Sequence, residues 1–217
     1  MSIVSFGQFV SGWPVPGEMI LVRQSGSSSY NTRLSTSDID YNGIYVAPTI
    51  DFLGIDSVQK HAINKKGTKP DFCFYEIGRF CELLIKGNPI IIEMLFDING
   101  RECKNEDFCY LQKERQRFLS KAVVGQYLGY MWAQRERLLK GKSLHTSGGE
   151  YGEKWAYHIV RLGMELKNIA TGGPKVWFED GSDRDILMSI RTGKMSKDDV
   201  IGLVDDIILE CKATEFD

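Results

Sequence analysis

Residues 19–46 constrain this chain more than any other stretch, because two apolar runs close on a short polar insert. Met19-Ile20-Leu21-Val22 has the bulky and β-branched make-up of a buried strand. From Ile39 to Val46 the sequence alternates. Ile39, Tyr41, Gly43 and Tyr45 fall on one face, and Asp38, Asp40, Asn42, Ile44 and Val46 on the other. Asp38 and Asp40 stand two apart in this extended segment, so their carboxylates are expected to point the same way. Like charges so close repel and raise each other's pKa unless a cation sits between them. Hard cations such as Mg²⁺ take carboxylate oxygens together with substrate phosphates. Between the strands lies Gly26-Ser27-Ser28-Ser29. A glycine-serine turn ahead of a helix offers backbone N–H groups and hydroxyls to an anion. One short stretch therefore carries the parts of a phosphate cradle and of a metal site. Taken singly, a Ser-rich turn is most often a surface loop, and Thr36-Ser37-Asp38 also suits a helix cap. The ordered combination is what carries information.

Composition bounds the rest. The chain has 217 residues, 42% hydrophobic and 26% charged, as expected of one ordinary globular domain or a small domain with an appendage. A net charge of −2 gives no global basic field, so any nucleic-acid surface has to be a local patch. The longest apolar runs, Pro89 to Phe96 and Val200 to Leu209, are too short to span a bilayer. The first residues, MSIVSFGQFV, lack a basic n-region and a long apolar segment. The five cysteines show no CxxC spacing and read as reduced thiols. Together these predict a cytoplasmic protein with no membrane partner.

After the glycine- and proline-rich lead-in, the expected order is strand, turn with short helix, loop and strand. The polar stretch 56–69, with Lys60, Lys65, Lys66 and Lys69, reads as a hairpin or loop, or as a mobile cover over a polyphosphate. Asp71 to Glu76 is a third strand opened by Pro70, and Ile77 to Lys86 a helix ended by Gly87. Ile90 to Phe96 suits either a buried strand or a helix begun at Pro89. Its lone Glu93 needs an arginine partner or a place near the site. Glu76 reads as a helix N-terminal charge. Beyond a polar connector at 97–108 the chain looks wholly helical, with helices at Ser120–Lys140, Glu153–Ala170, Asp183–Arg191 and Val200–Lys212. Lys154, His158 and Arg161 are spaced to share one helix face. The expected fold is α+β: an N-terminal mixed sheet with helices over residues 1–108, then a helical bundle over 109–217.

Gly26-Ser27, ten residues, then Asp38-Ile39-Asp40 resembles the signature of the DNA polymerase beta nucleotidyltransferase superfamily. Further stretches resemble the RNA-repair-pathway DNA polymerase beta family of bacteria and phages. They are Ser37 to Tyr41 with Gly43, Tyr75-Glu76-Ile77, Lys86 to Pro89 with Glu93, the Lys154–Gly163 helix, and Ile190 to Gly193 with Ser196. The resemblance covers about residues 19–210, and departs at Asn31, where many relatives have glycine. It implies transfer of a nucleoside monophosphate from an NTP to a hydroxyl, with release of pyrophosphate. By that resemblance Gly26 and Ser27 would hold the triphosphate, and Lys154 and His158 would neutralise its β and γ phosphates. Asp38, Asp40 and a third carboxylate would bind Mg²⁺ or Mn²⁺. Asp71 is the first choice for that third acid and for the base, with Glu76 and Glu93 behind it. The acceptor expected is RNA, at a tRNA end or in repair. AMP transfer to a protein, and a non-catalytic nucleotide-binding or interaction module, are the other readings.

Overall fold

The two apolar runs pair as antiparallel strands β1 (Glu18–Ser25) and β2 (Asp40–Val46) around the Gly-Ser turn. The computed structural model describes residues 15–55, 61–63, 70–97, 101–103, 105–140, 152–169 and 172–213. The lead-in through residue 14, most of the lysine-bearing stretch (56–60 and 64–69) and the Gly- and Ser-rich loop at 141–151 lie outside the described residues. Helix α1 (Thr49–Leu53) follows β2, and β3 (His61–Ile63) pairs antiparallel with β4 (Asp71–Glu76). Strand β4 lies parallel to β2, and β5 (Arg101–Cys103) closes the other edge antiparallel to β1. The order β3-β4-β2-β1-β5 makes the sheet mixed.

Register sets the site. Ser25, Asp40 and Asp71 are paired neighbours and form one row across β1, β2 and β4. Arg23, Asn42 and Cys73 form the next row on the same face, and Leu21, Ile44 and Tyr75 the one after. An irregularity between Met19 and Leu21 lets consecutive Ile20 and Leu21 both enter the main apolar cluster. The central strands are buried on both faces. Ile44 joins the main cluster, whereas Tyr45 packs with Met19, Val22, Ala47, Phe72 and Phe74 behind the sheet.

The helices occupy the face that carries those rows. Helix α2 (Ile77–Ile85) is capped by Glu76, whose Oε2 accepts from the backbone N–H groups of Gly78 (2.6 Å) and Arg79 (3.3 Å). Gly87 turns the chain at φ +74°, in direct apposition to Val123. The ambiguous run is helix α3 (Pro89–Phe96), because Asn88 caps it and Pro89 suits its first turn. Then come α4 (Glu106–Lys113), α5 (Lys121–Leu139), α6 (Glu153–Ile169), α7 (Ser182–Arg191) and α8 (Lys197–Ala213). Ser196 begins α8 as its sequence, Ser196-Lys197-Asp198-Asp199, suggests: its Oγ accepts from Asp199 N–H at 3.2 Å and donates to Asp199 Oδ2 at 2.6 Å. Helix α6 is the hub, buried on most sides between α5, α7 and α8. A single apolar cluster runs from Ile20 through α3 to Cys211, so sheet and helices share one core.

Candidate active site

Parallel strands lie about 4.8 Å apart, so pairing Asp40 with Asp71 sets two carboxylates side by side. Gly26 follows Ser25 with φ +64° and opens a 3₁₀ turn over Gly26–Ser28. A Cβ at Gly26 would lie 3.2 Å from Asp40 Oδ2, so the turn seats directly on that carboxylate. The turn is held by Ser29 Oγ donating to Gly26 O (2.9 Å) and by Thr32 N–H donating to Ser27 O (3.1 Å). Ser28 Oγ, shielded from solvent, has no hydrogen-bond partner among the described residues. Asn31 sits at φ +59°, a left-handed conformation that asparagine tolerates, and its Nδ2 donates to Phe178 O at 2.9 Å. The departure from glycine there leaves the turn intact. Gly26→Ala forces both a left-handed alanine and a shift of Asp40. It is expected to weaken Mg²⁺·NTP binding about 10-fold while costing roughly 1 kcal/mol of stability, read by calorimetry and thermal melts.

A cavity of about 630 Å³ opens over this row, between the sheet and the helices. Ser25, Gly26, Asp40 and Asp71 line its sheet side. Pro89 and Ile90 of α3, Tyr130 and Gln134 of α5, and His158 and Arg161 of α6 line the opposite walls. Asp38 is not part of that lining. It is exposed, because β2 begins at Asp40 and Asp38 belongs to the preceding turn. That turn is tied to α7, since Ser37 Oγ accepts from Leu34 N–H (3.0 Å) and from Arg191 Nη2 (2.9 Å). Ser27 stands half-exposed on the same turn as Gly26.

Beneath the cavity lies a buried charge network. Glu93 Oε1 accepts from Arg161 Nη1 at 2.8 Å, and Tyr30 Oη donates to Glu93 Oε2. Arg161 Nη1 also donates to Glu165 Oε1, and its guanidinium lies 4.0 Å from the Tyr30 ring centroid. Tyr127 Oη donates to Glu165 Oε2 at 3.4 Å. Beside it Arg23 pairs with Asp97 at 2.7 Å and donates to Asn42 Oδ1 at 2.7 Å, joining β1, β2 and the end of α3. Burial, with Glu93 close by, holds the Glu165 carboxyl well above the ordinary range despite Arg161. Burial likewise pushes the Tyr30 and Tyr127 hydroxyls up. Glu93 therefore has its arginine, and Glu76 caps a helix. Asp71 is the acid that the register sets beside Asp40.

The expected cation face of α6 resolves into three environments. Lys154 is exposed and outside the cavity lining, His158 is half-buried in the wall, and Arg161 is buried where that wall meets the core. The spacing is helical, but α6 descends into the core along its length, so its one face passes from water to interior. Burial, then the neighbouring Arg161, Lys154 and Arg191, hold the His158 imidazole down at about 3. It is neutral at pH 7. A histidine with a lowered folded pKa costs stability as pH falls below its ordinary value of about 6.5. The His158 ring signals in NMR are expected not to titrate between pH 5 and 8 in the free protein. His158→Gln is expected to flatten the loss of melting temperature over pH 6.5 to 4.

Among the described residues, no three His, Cys, Asp or Glu side chains converge as a ready metal cage. Mg²⁺ does not need one: it is held by one or two carboxylates together with phosphates and water. Paired aspartates beneath a glycine turn that a Cβ would fill suit that ion, with oxygen donors throughout. Sequence reasoning missed Tyr30, Tyr130 and Gln134, and it quoted Arg191 only within a motif. Tyr30 alone stood in plain view, directly after the serine turn.

An α+β fold with a glycine-serine turn seated on paired strand aspartates has the architecture of polymerase-beta-type nucleotidyltransferases. Residues 9–180 match the model of the RNA repair pathway DNA polymerase beta family, and the chain belongs to that family. An uncharacterized 38.9 kDa protein of Enterobacteria phage T4, from the nrdC-mobD intergenic region, is 30% identical over 131 residues. That match takes in 55% of this chain and 38% of the phage protein, so the chain spans well under half of that relative. A crystallised nucleotidyltransferase-like protein from Exiguobacterium sibiricum is 12% identical, with TM-score 0.36, over 95% of this chain and 71% of that one. No helix among the described residues is long and apolar enough to cross a membrane.

Proposed function

We propose that this protein is a metal-dependent nucleotidyltransferase that moves a nucleoside monophosphate from an NTP to a hydroxyl of RNA, at a tRNA end or in repair. Its principal support is the row of Ser25, Asp40 and Asp71 beneath Gly26, opening into a cavity of nucleotide size. Residues 1–108 serve as the nucleotidyltransferase part and 109–217 as the helical part that closes the cleft.

The acceptor oxygen attacks the α-phosphorus, the bond to the β-phosphate oxygen breaks, and pyrophosphate leaves. Asp71 takes the proton of the attacking hydroxyl. Backbone N–H groups at Gly26 and Ser27 hold the triphosphate. Asp40 and Asp71, with Asp38 from the segment just before β2, would hold Mg²⁺ or Mn²⁺. Such an ion, when bound, neutralises charge that develops on the transferring phosphoryl group. His158 donates to a phosphate as a neutral imidazole, and exposed Lys154 reaches in from the rim with Arg191 behind the Ser37 turn. Among the described residues, Cys73, Cys81, Cys109 and Cys211 form no disulfide, and the compartment we infer is the cytoplasm.

The test is incubation of purified protein with α-labelled NTP, Mg²⁺ and a mixed pool of RNA and cell protein. Label is expected on RNA. Label on a protein band instead would replace the RNA acceptor with protein AMP transfer.

A further inference from the structure

The cavity has two chemically different ends. Asp71, Cys73 and Tyr75 line it in turn along one face of β4, about 13 Å from first to last at roughly 3.3 Å per residue. At the Asp71 end stand Gly26 and Asp40. At the Tyr75 end the walls are Pro89 and Ile90 of α3 and Tyr130 of α5. Ile90 is 43% exposed and Tyr130 39% exposed, so apolar surface is left open there. The Tyr130 ring is fixed in place, because Asn88 Nδ2 donates to its hydroxyl at 3.3 Å while Asn88 Oδ1 caps α3. Gln134 is one helical turn beyond Tyr130 and lines the same cavity. Its Oε1 is shielded from solvent and accepts no hydrogen bond from the described residues. A buried acceptor left unsatisfied costs about 1–3 kcal/mol, and such groups persist where a ligand completes them.

We propose that Gln134 is the base-reading residue of this cleft, and that it pairs with an adenine stacked on Tyr130. The inference rests on the nucleotidyltransferase reading and adds the base that the site selects. A primary amide presents an acceptor and a donor side by side. Adenine presents the complement, an amino donor next to a ring-nitrogen acceptor. Guanine and uracil carry a carbonyl where adenine carries its amino group, which sets oxygen against Oε1 as it is placed here, and either base pairs only when the amide turns over. Cytosine has the amino group but a smaller ring to cover Tyr130 and Ile90. The polar triphosphate then lies at the Asp71 end and the base at the apolar end.

The experiment is calorimetric titration of the full chain, wild type and Gln134→Ala, with the Mg²⁺ complexes of ATP, CTP, GTP and UTP and with inorganic tripolyphosphate. ATP is expected to bind roughly 10-fold or more tighter than the other three, the worth of one good bidentate pair. In Gln134→Ala that preference is expected to vanish, with ATP falling to the level of the others, tripolyphosphate binding unchanged and the melting temperature held. Equal binding of all four nucleotides by the wild type overturns the proposal, as does a preference for CTP or an ATP preference that survives in Gln134→Ala. Those results leave the nucleotidyltransferase reading standing. Failure of every nucleotide and of tripolyphosphate to bind overturns both.

Discussion

Asp40→Asn combined with Asp71→Asn is expected to abolish nucleotidyl transfer, by about 10³-fold or more, while the fold survives. The two side chains are neighbours across β2 and β4, with Gly26 against Asp40. Asparagine keeps the shape of each side chain without its charge, so the double variant is expected to stay folded, with a melting temperature within a few °C of the wild type's. Loss of the ion removes several kcal/mol of charge stabilisation at the transferring phosphate, and 1.36 kcal/mol is a factor of ten in rate. Label transfer from α-labelled NTP reads the first effect and thermal melts the second. A double variant that unfolds would mean that the acids hold the sheet together. One that still transfers would remove the pair from the chemistry.

Arg161→Ala should act in the opposite way, through stability. Arg161 pairs with both Glu93 and Glu165 in the core, and its guanidinium covers the Tyr30 ring. Truncation leaves two carboxylates facing each other without a cation. Breaking a buried ion pair from one side costs about 3–5 kcal/mol. At this chain length that is roughly 6–20 °C in melting temperature. The pH dependence gives the mechanism. Burial already raises the Glu165 carboxyl against the pull of Arg161, so loss of Arg161 raises it further, the folded state binds more protons, and stability rises as pH falls. The gap between wild type and variant should narrow from pH 7 to pH 5. A small loss that does not vary with pH would show that the network contributes little.

The strand–turn–strand core of the site was readable because it is local. Alternation over Asp40–Val46, the apolar run at Met19–Val22 and Pro70 ahead of Asp71 all act within a few residues. So does the Ser196 cap with the helix it begins, whereas residues 90–96 suited strand and helix alike until Asn88 proved to cap a helix there. The lone Glu93 signalled a need for a partner, but not where that partner was, since Arg161 lies 68 residues away and Tyr30 lies 63. The face of α6 was misjudged for the same reason. Spacing fixes which side chains share a face, whereas three neighbouring helices decide how much of that face meets water. The alternation of β2 reads back through Asp38, whereas pairing with β1 ends at Asp40 opposite Ser25. Gln134 carries no signal in the sequence. Its amide matters only once α5 lies across the cleft from β4.

The deciding measurement is calorimetric titration of an NTP into the wild type and into the Asp40→Asn, Asp71→Asn variant, each with and without Mg²⁺. Binding is expected in the wild type only when Mg²⁺ is present, and to be lost in the variant under both conditions. NTP binding that ignores Mg²⁺, or that survives loss of both aspartates, would contradict a nucleotidyltransferase centre on this row of the sheet.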